Sequence, residues 1–300
     1  MSQSKVKHLD LPAITSGFVT HPAGRYWHVM RSAETQDVIG VSEARVSARR
    51  TEPLYTLVNG EKIIVTDRAQ LKERPAEADG VLRVAEDGKS SWLWHKEAEK
   101  FLTQTAKNGW PDTAREIQNG WAARFNYRME LRGKKGEVVQ QGLRPPQIGA
   151  LHAIGAHWSL YDQAATVVMP TGTGKTETML ATLAAMARGC FLVVVPSRVL
   201  RDQTARKFAT FGLLRVLENL DRAAPNPIVG VVTARPAPES ELDILEKCNV
   251  VITTMSAIAE GAAASLGKAI AERVDTLIVD EAHHIGADGW AAFRDRKSVV

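Results

Sequence analysis

Two groups of residues could do chemistry together: Met169-Pro-Thr-Gly-Thr-Gly-Lys-Thr176, and the carboxylates Asp280 and Glu281 more than a hundred positions downstream. A loop whose glycines lack Cβ atoms can wrap its backbone closely around oxyanions, with its N–H groups turned inward. A helix opening at its end adds partial positive charge. Lys175 is placed to reach the β- and γ-phosphates of a nucleotide, and the Thr176 hydroxyl to bind Mg²⁺. Thr171, Gly172, Thr173, Gly174, Lys175, Thr176 and Glu177 are the candidate nucleotide contacts, with Lys175 and Glu281 the candidate catalytic pair. The strict phosphate-loop pattern opens on Gly, where this chain has Met169.

The flanking elements are those such a loop needs. The apolar run Ala164-Ala-Thr-Val-Val168 precedes it as an expected strand, and Glu177 to Arg188 follows as an expected helix. Asp280-Glu-Ala-His283 closes the apolar run Thr276-Leu-Ile-Val-Asp280. Ligands of parallel sheets bind at the carboxyl ends of strands. Asp280 there can hold Mg²⁺ through its water shell, and Glu281 can orient and deprotonate an attacking water. Phe191-Leu-Val-Val-Val-Pro196, Pro227 to Thr233 and Asn249-Val-Val-Ile-Thr-Thr254 are further continuous apolar strands, alternating with helical segments. Such runs belong in a parallel sheet buried on both faces. Upstream, Leu143-Arg-Pro-Pro-Gln147 opens a helix to about Trp158. The Gln147 amide offers a donor and an acceptor, suited to adenine, with helix capping as the plainer alternative.

Residues 1 to about 140 read as a smaller α+β accessory domain of unassigned role. Leu54–Val58, Asn59-Gly60 and Lys62–Thr66 predict a hairpin on a type I′ turn, and a second surrounds Asp87-Gly88. Helices are expected over Lys96–Lys107 and from a capping box at Thr113 to about Phe125. Five of the seven tryptophans, Trp27, Trp92, Trp94, Trp110 and Trp121, fall here and are expected in the core. Arg124, Arg128, Arg132, Lys134 and Lys135 form a basic run that suits either a solvated linker or a phosphate-contacting patch.

Composition sets outer bounds. The chain has 44% hydrophobic and 24% charged residues, which describes an ordinary globular protein of about two domains. A net charge of +4 and a pI near 9.1 are compatible with a nucleic-acid partner. The excess lies in residues 1–140, with 22 Lys+Arg against 18 Asp+Glu, while residues 141–300 carry 16 of each. Cys190 and Cys248 share no metal-ligand spacing, so reduced thiols and a cytoplasmic setting are expected. No run is long and apolar enough for a membrane span.

On Gln147, Met169–Thr176, Pro196-Ser-Arg198, Thr253-Thr254 and Asp280-Glu-Ala-His-His284, the chain resembles the first RecA-like lobe of superfamily-two helicases of the DEAH type. It looks most like the branch that includes the helicase subunits of type I and type III restriction enzymes and their bacterial relatives. The resemblance implies a P-loop lobe over residues 141–300, with a parallel sheet and helices on both faces. It implies that Gln147 reads adenine, that Lys175, Thr176 and Asp280 hold Mg²⁺ and ATP, and that Glu281 is the base. Arg198 and Thr254 would touch nucleic-acid phosphates, with His283 coupling the two sites. Family members use a second lobe, which does not follow before Val300. The expectation is therefore a portion of an ATP-dependent helicase or translocase, weakly active or inactive by itself, with DNA preferred over RNA. The alternative is a nucleotide-gated nucleic-acid-binding module without motor action.

Overall fold

A computed structural model describes residues 7–281, apart from 72, 162, 171, 187–188, 237–238 and 259–263. Thr171, His283, His284 and residues 297–300 therefore lie outside the described residues. The chain forms two compact units, Met1–Ser16 with Val29–Lys107, and Gly17–His28 with Asn108–Val300.

The first unit is built on a six-stranded sheet. Its strands run in the order His8–Leu11, Glu34–Ser47, Arg50–Leu57, Lys62–Thr66, Gly80–Val84 and Ser90–His95, and only the Lys62–Thr66/Gly80–Val84 pair is parallel. Alternation along a strand sends neighbours to opposite faces. Ile63 accordingly packs with Leu9, Leu11, Leu57 and Leu82, while Ile64 packs with Val46, Leu54 and Val81. The hairpin at Asn59-Gly60 forms, but not on a type I′ turn. Gly60 takes φ 88° while Asn59 has no positive φ. Gly60 N–H donates to Leu57 O at 2.9 Å and Leu57 N–H to Glu61 O at 2.9 Å, so an ordinary turn is followed by a single left-handed glycine. One residue without a Cβ suffices there.

The second unit contains the expected parallel sheet. Its strands lie in the order Thr276–Val279, Phe191–Val195, Val250–Thr254 and Ile228–Val232, paired parallel throughout. Phe191–Val195, Ile228–Val232 and Val250–Thr254 are buried at every residue. Helix Arg198–Phe208 packs across these three strands, and helix Pro145–Leu160 packs on helix Lys175–Met186.

The boundary expected near residue 140 does not match these units. Gly24 to His28 pair antiparallel with Ile228–Val232 and extend the second unit's sheet. Gly24 is required there, because a Cβ would lie 1.9 Å from Val231 O. Helix Trp110–Asn119 also belongs to this unit, since the buried Asn249 amide donates to Ala114 O at 2.7 Å and Trp121 Nε1 to Pro225 O at 2.8 Å. That helix starts at Trp110 rather than Thr113. Pro111 suits a first turn, and the Thr113 hydroxyl donates to Gly109 O at 2.9 Å instead of capping. Of the five tryptophans, Trp27 and Trp121 are buried and the other three half-buried, as core residues should be.

One expected strand is missing. Ala164–Val168 adopts no strand, and Val168 is 89% exposed. A strand is defined by its ladder to a neighbour. Among the described residues, Thr276–Val279 pairs on one side only and nothing lies in ladder register with the run. Among the described residues no helix is long and apolar enough to cross a membrane.

Candidate functional site: a phosphate loop facing two carboxylates

The structure brings the lysine of the loop and the distant acidic pair together. Lys175 Nζ donates to Glu281 Oε1 at 2.6 Å, with both side chains 33% exposed. Helix Lys175–Met186 carries the lysine at its first residue, so the ammonium stands at the positive end of the helix. Strand Thr276–Val279 delivers the acids, and Asp280 N–H donates to Val194 O at 2.9 Å, continuing the ladder one residue past the strand. Glu281 then turns out with φ 56°, a left-handed conformation that a residue with a Cβ adopts only when its surroundings enforce it.

The electrostatics are those of a poised site. Hydrogen bonding to Glu281, then the charges of Glu281 and Asp280, raise the Lys175 ammonium above its ordinary value despite partial burial. Burial raises the Asp280 carboxyl, and the Glu281 charge raises it further, against the pull of Lys175. Two carboxylates and one ammonium leave the cluster one negative charge in excess, which a cation would neutralise. Among the described residues no set of three His, Cys, Asp or Glu is grouped to hold a metal by protein ligands alone. One carboxylate plus one hydroxyl is instead the donor set of a Mg²⁺ that keeps its waters and shares phosphate oxygens. Thr176 fits that role, since its half-buried side chain has no hydrogen-bond partner among the described residues.

The loop is held from several sides. Gly172 and Gly174 take φ 80° and 92°. A Cβ on Gly174 would meet Gln147 Nε2 at 1.9 Å, whereas a Cβ on Gly172 would meet nothing within 4 Å. The Thr173 hydroxyl donates to Pro170 O at 2.6 Å, and the Thr178 hydroxyl contacts Gly174 O at 3.3 Å and Met169 Sδ at 3.6 Å. Met169 thus uses its sulfur where the strict pattern has glycine. Glu177 faces Lys207, Nζ to Oε1 3.8 Å.

Gln147, expected to read adenine, is 3% exposed. Its Oε1 accepts from Arg144 N–H at 2.7 Å and its Nε2 donates to Gly174 O at 3.2 Å. The amide therefore caps its helix and braces the loop, as the plainer alternative has it. Pairing with a base requires giving up one of these bonds. Arg144 was missed in the sequence: its guanidinium donates to Gly172 O at 3.2 Å and so overhangs the loop. The only signal for it was its place three residues before Gln147, where it passed as a helix-opening residue.

The two candidate nucleic-acid residues lie at the carboxyl ends of adjacent strands: Thr254 is the last residue of its strand, in register with Val195, and Arg198 follows three residues after Val195. Arg198 is exposed at the start of its helix, behind the Ser197 cap whose hydroxyl accepts from Leu200 N–H at 3.2 Å. Thr254 is 4% exposed, its hydroxyl 3.1 Å from that of Ser256. The structure therefore presents the arginine to solvent and turns the threonine inward.

No curated protein matches the chain. Among solved structures, the UvsW helicase from Bacteriophage T4 is similar at 13% identity and a TM-score of 0.35, covering 70% of this chain and 71% of that one. Residues 140–298 match the family model of the type III restriction enzyme res subunit. That span is more than half of the 300 residues and contains the loop, the acidic pair and every strand of the parallel sheet. The chain belongs to the type III restriction enzyme res subunit family and carries a superfamily-two helicase lobe.

Proposed function

We propose that the chain is the nucleotide-binding portion of an ATP-dependent helicase or translocase acting on DNA. The observation that carries this reading is the 2.6 Å ion pair between Lys175 and Glu281, which places the phosphate loop and the acidic pair at one point. The N–H groups of Gly172 and Gly174 cradle phosphate oxygens, joined by that of Thr173 once it gives up its 3.3 Å bond to Pro170 O, and Lys175 leaves Glu281 to take the β- and γ-oxygens. Thr176 and Asp280 would hold Mg²⁺, which would neutralise charge on the phosphates. Glu281, released from Lys175, accepts a proton from the attacking water at its carboxylate. Gln147 holds Gly174 in place and, on releasing it, faces the base. Glu177 stays on the helix behind the loop. Arg198 contributes a phosphate contact from the same edge of the sheet, and Thr254 joins it by turning from Ser256. His283, which lies outside the described residues, is assigned the coupling of the nucleotide site to the nucleic acid.

The test is titration of a fluorescent ATP analogue with Mg²⁺ into the wild-type chain and Lys175→Ala. Saturable binding that Lys175→Ala abolishes without unfolding is expected. Equal binding by both proteins would refute the reading.

A further inference from the structure

The basic run upstream of the loop is not a linker. Leu131–Arg132 and Val138–Gln140 form an antiparallel ribbon, and among the described residues no third strand joins it. Its tip is Gly133-Lys-Lys-Gly136, closed by Gly136 N–H donating to Gly133 O at 3.0 Å and Gly133 N–H donating to Glu137 O at 2.8 Å. Isolated two-stranded hairpins are marginal in water, so this one needs a root.

The structure supplies one. Glu130 N–H donates to Leu143 O at 2.8 Å, Leu143 N–H to Arg128 O at 3.0 Å, and the Gln140 amide to Met129 O at 2.8 Å. Asn219, fully buried, donates to Asn126 O and Arg128 O at 2.8 Å each. Arg128 pairs with Glu218 at 3.0 Å, and Tyr127 stacks on His152 at 5.2 Å. Arg132 is spent within the ribbon, donating to Glu130 Oε1 at 2.7 Å and Gly136 O at 3.2 Å. Lys134 and Lys135 differ: both are exposed, and neither ammonium has a partner among the described residues.

The ribbon is thus rooted firmly, yet its outer surface is unlike a surface meant for water. Leu131, Val138 and Val139 are 43%, 40% and 63% exposed, beside two free ammoniums. Apolar side chains next to unpaired lysines match a polyanion that also offers apolar edges. The major groove of B-form DNA is such a surface. It admits a two-stranded ribbon and presents thymine methyl groups between two rows of phosphates. The major groove of A-form RNA is too deep and narrow for a ribbon.

We propose that the Met129–Leu143 ribbon is a duplex-DNA-engaging element that lies along the major groove, with Lys134 and Lys135 on phosphates and one exposed apolar face toward base edges. This rests on the nucleic-acid reading above and adds to it the form of nucleic acid recognised. The test measures binding of the wild-type chain and Lys134→Ala/Lys135→Ala to labelled duplex DNA, duplex RNA and single-stranded DNA of one sequence, across a salt series. The expected result is tightest binding to duplex DNA. In the variant its salt slope falls by about 2, since each phosphate contact contributes roughly 0.9, while ATP-analogue binding is unchanged. Leu131→Ser/Val139→Ser is expected to weaken duplex DNA binding with the salt slope kept. An unchanged slope and affinity in the lysine variant, or duplex RNA bound as tightly as duplex DNA, would overturn the ribbon's role while leaving the ATP-dependent reading intact. A wild-type chain that binds no nucleic acid would overturn both.

Discussion

Glu281→Gln separates the two roles assigned to that carboxylate. In the structure its charge is engaged by Lys175 at 2.6 Å, so a nucleotide must break an ion pair before its phosphates can use the ammonium. Glutamine keeps the shape and an acceptor oxygen but removes the charge. Both side chains are 33% exposed, so the pair is screened by water and is worth only about 0.2–1 kcal/mol. Relief of that competition is expected to tighten binding of an ATP analogue by about 1.4- to 5-fold, since 1.4 kcal/mol corresponds to tenfold. Removing negative charge beside incoming phosphates acts in the same direction. Losing a general base costs about 10²–10⁴-fold in rate, and whatever hydrolysis the wild-type chain supports is expected to fall accordingly. Fluorescence titration at constant Mg²⁺, with phosphate release measured in parallel, tests both. Weaker nucleotide binding by Glu281→Gln would show that the carboxylate assists the ligand, and the competition argument would be wrong.

Three further outcomes follow from other residues. The Asp280 carboxyl lies above its ordinary value, so its contribution to stability is favourable below the unfolded-state value and is lost as pH rises through the folded one. Asp280→Asn is therefore expected to raise the melting temperature at neutral pH, with the gain vanishing in acid and Mg²⁺-dependent nucleotide binding lost; a lower melting temperature at neutral pH would count against it. Gln147→Ala removes a helix cap and a brace on Gly174, and is expected to cost about 1–2 kcal/mol and to weaken ATP and GTP binding alike. Loss of ATP binding with GTP binding untouched would assign the amide to adenine instead. Burial holds His28 at about 4, against the Pro227 carbonyl that favours its charged form. A lowered folded value means stability present above about 6.5 and lost as pH falls toward about 4, roughly 3 kcal/mol at 1.36 kcal/mol per pH unit. Chemical denaturation of His28→Phe over that window should give a flatter acid limb, and an unchanged limb would refute the assignment.

The parallel strands were legible in the sequence because they are buried on both faces and therefore read as unbroken apolar runs. The loop and the acidic pair were legible because their chemistry restricts them to a few residue types at strand ends. Gly24–His28 falls within the span read as the accessory domain yet pairs with Ile228–Val232, because a strand's pattern says that it pairs, not with what. Ala164–Val168 failed for the converse reason: an apolar run is not a strand unless an edge is available to it.

Side chains with two possible partners were also undecidable from sequence. Gln147 could read a base or cap a helix, and only the position of Gly174 and Arg144 N–H shows where its amide is spent. The basic run at 124–135 could be a solvated linker or a phosphate-contacting patch, and only the ladder between Leu131–Arg132 and Val138–Gln140 shows that its end is part of a ribbon. Residue type and local spacing determined which chemistry the chain can perform. The pairing of Lys175 with Glu281, 106 residues apart, was decided by the fold, because strand order is a long-range property that no local pattern encodes.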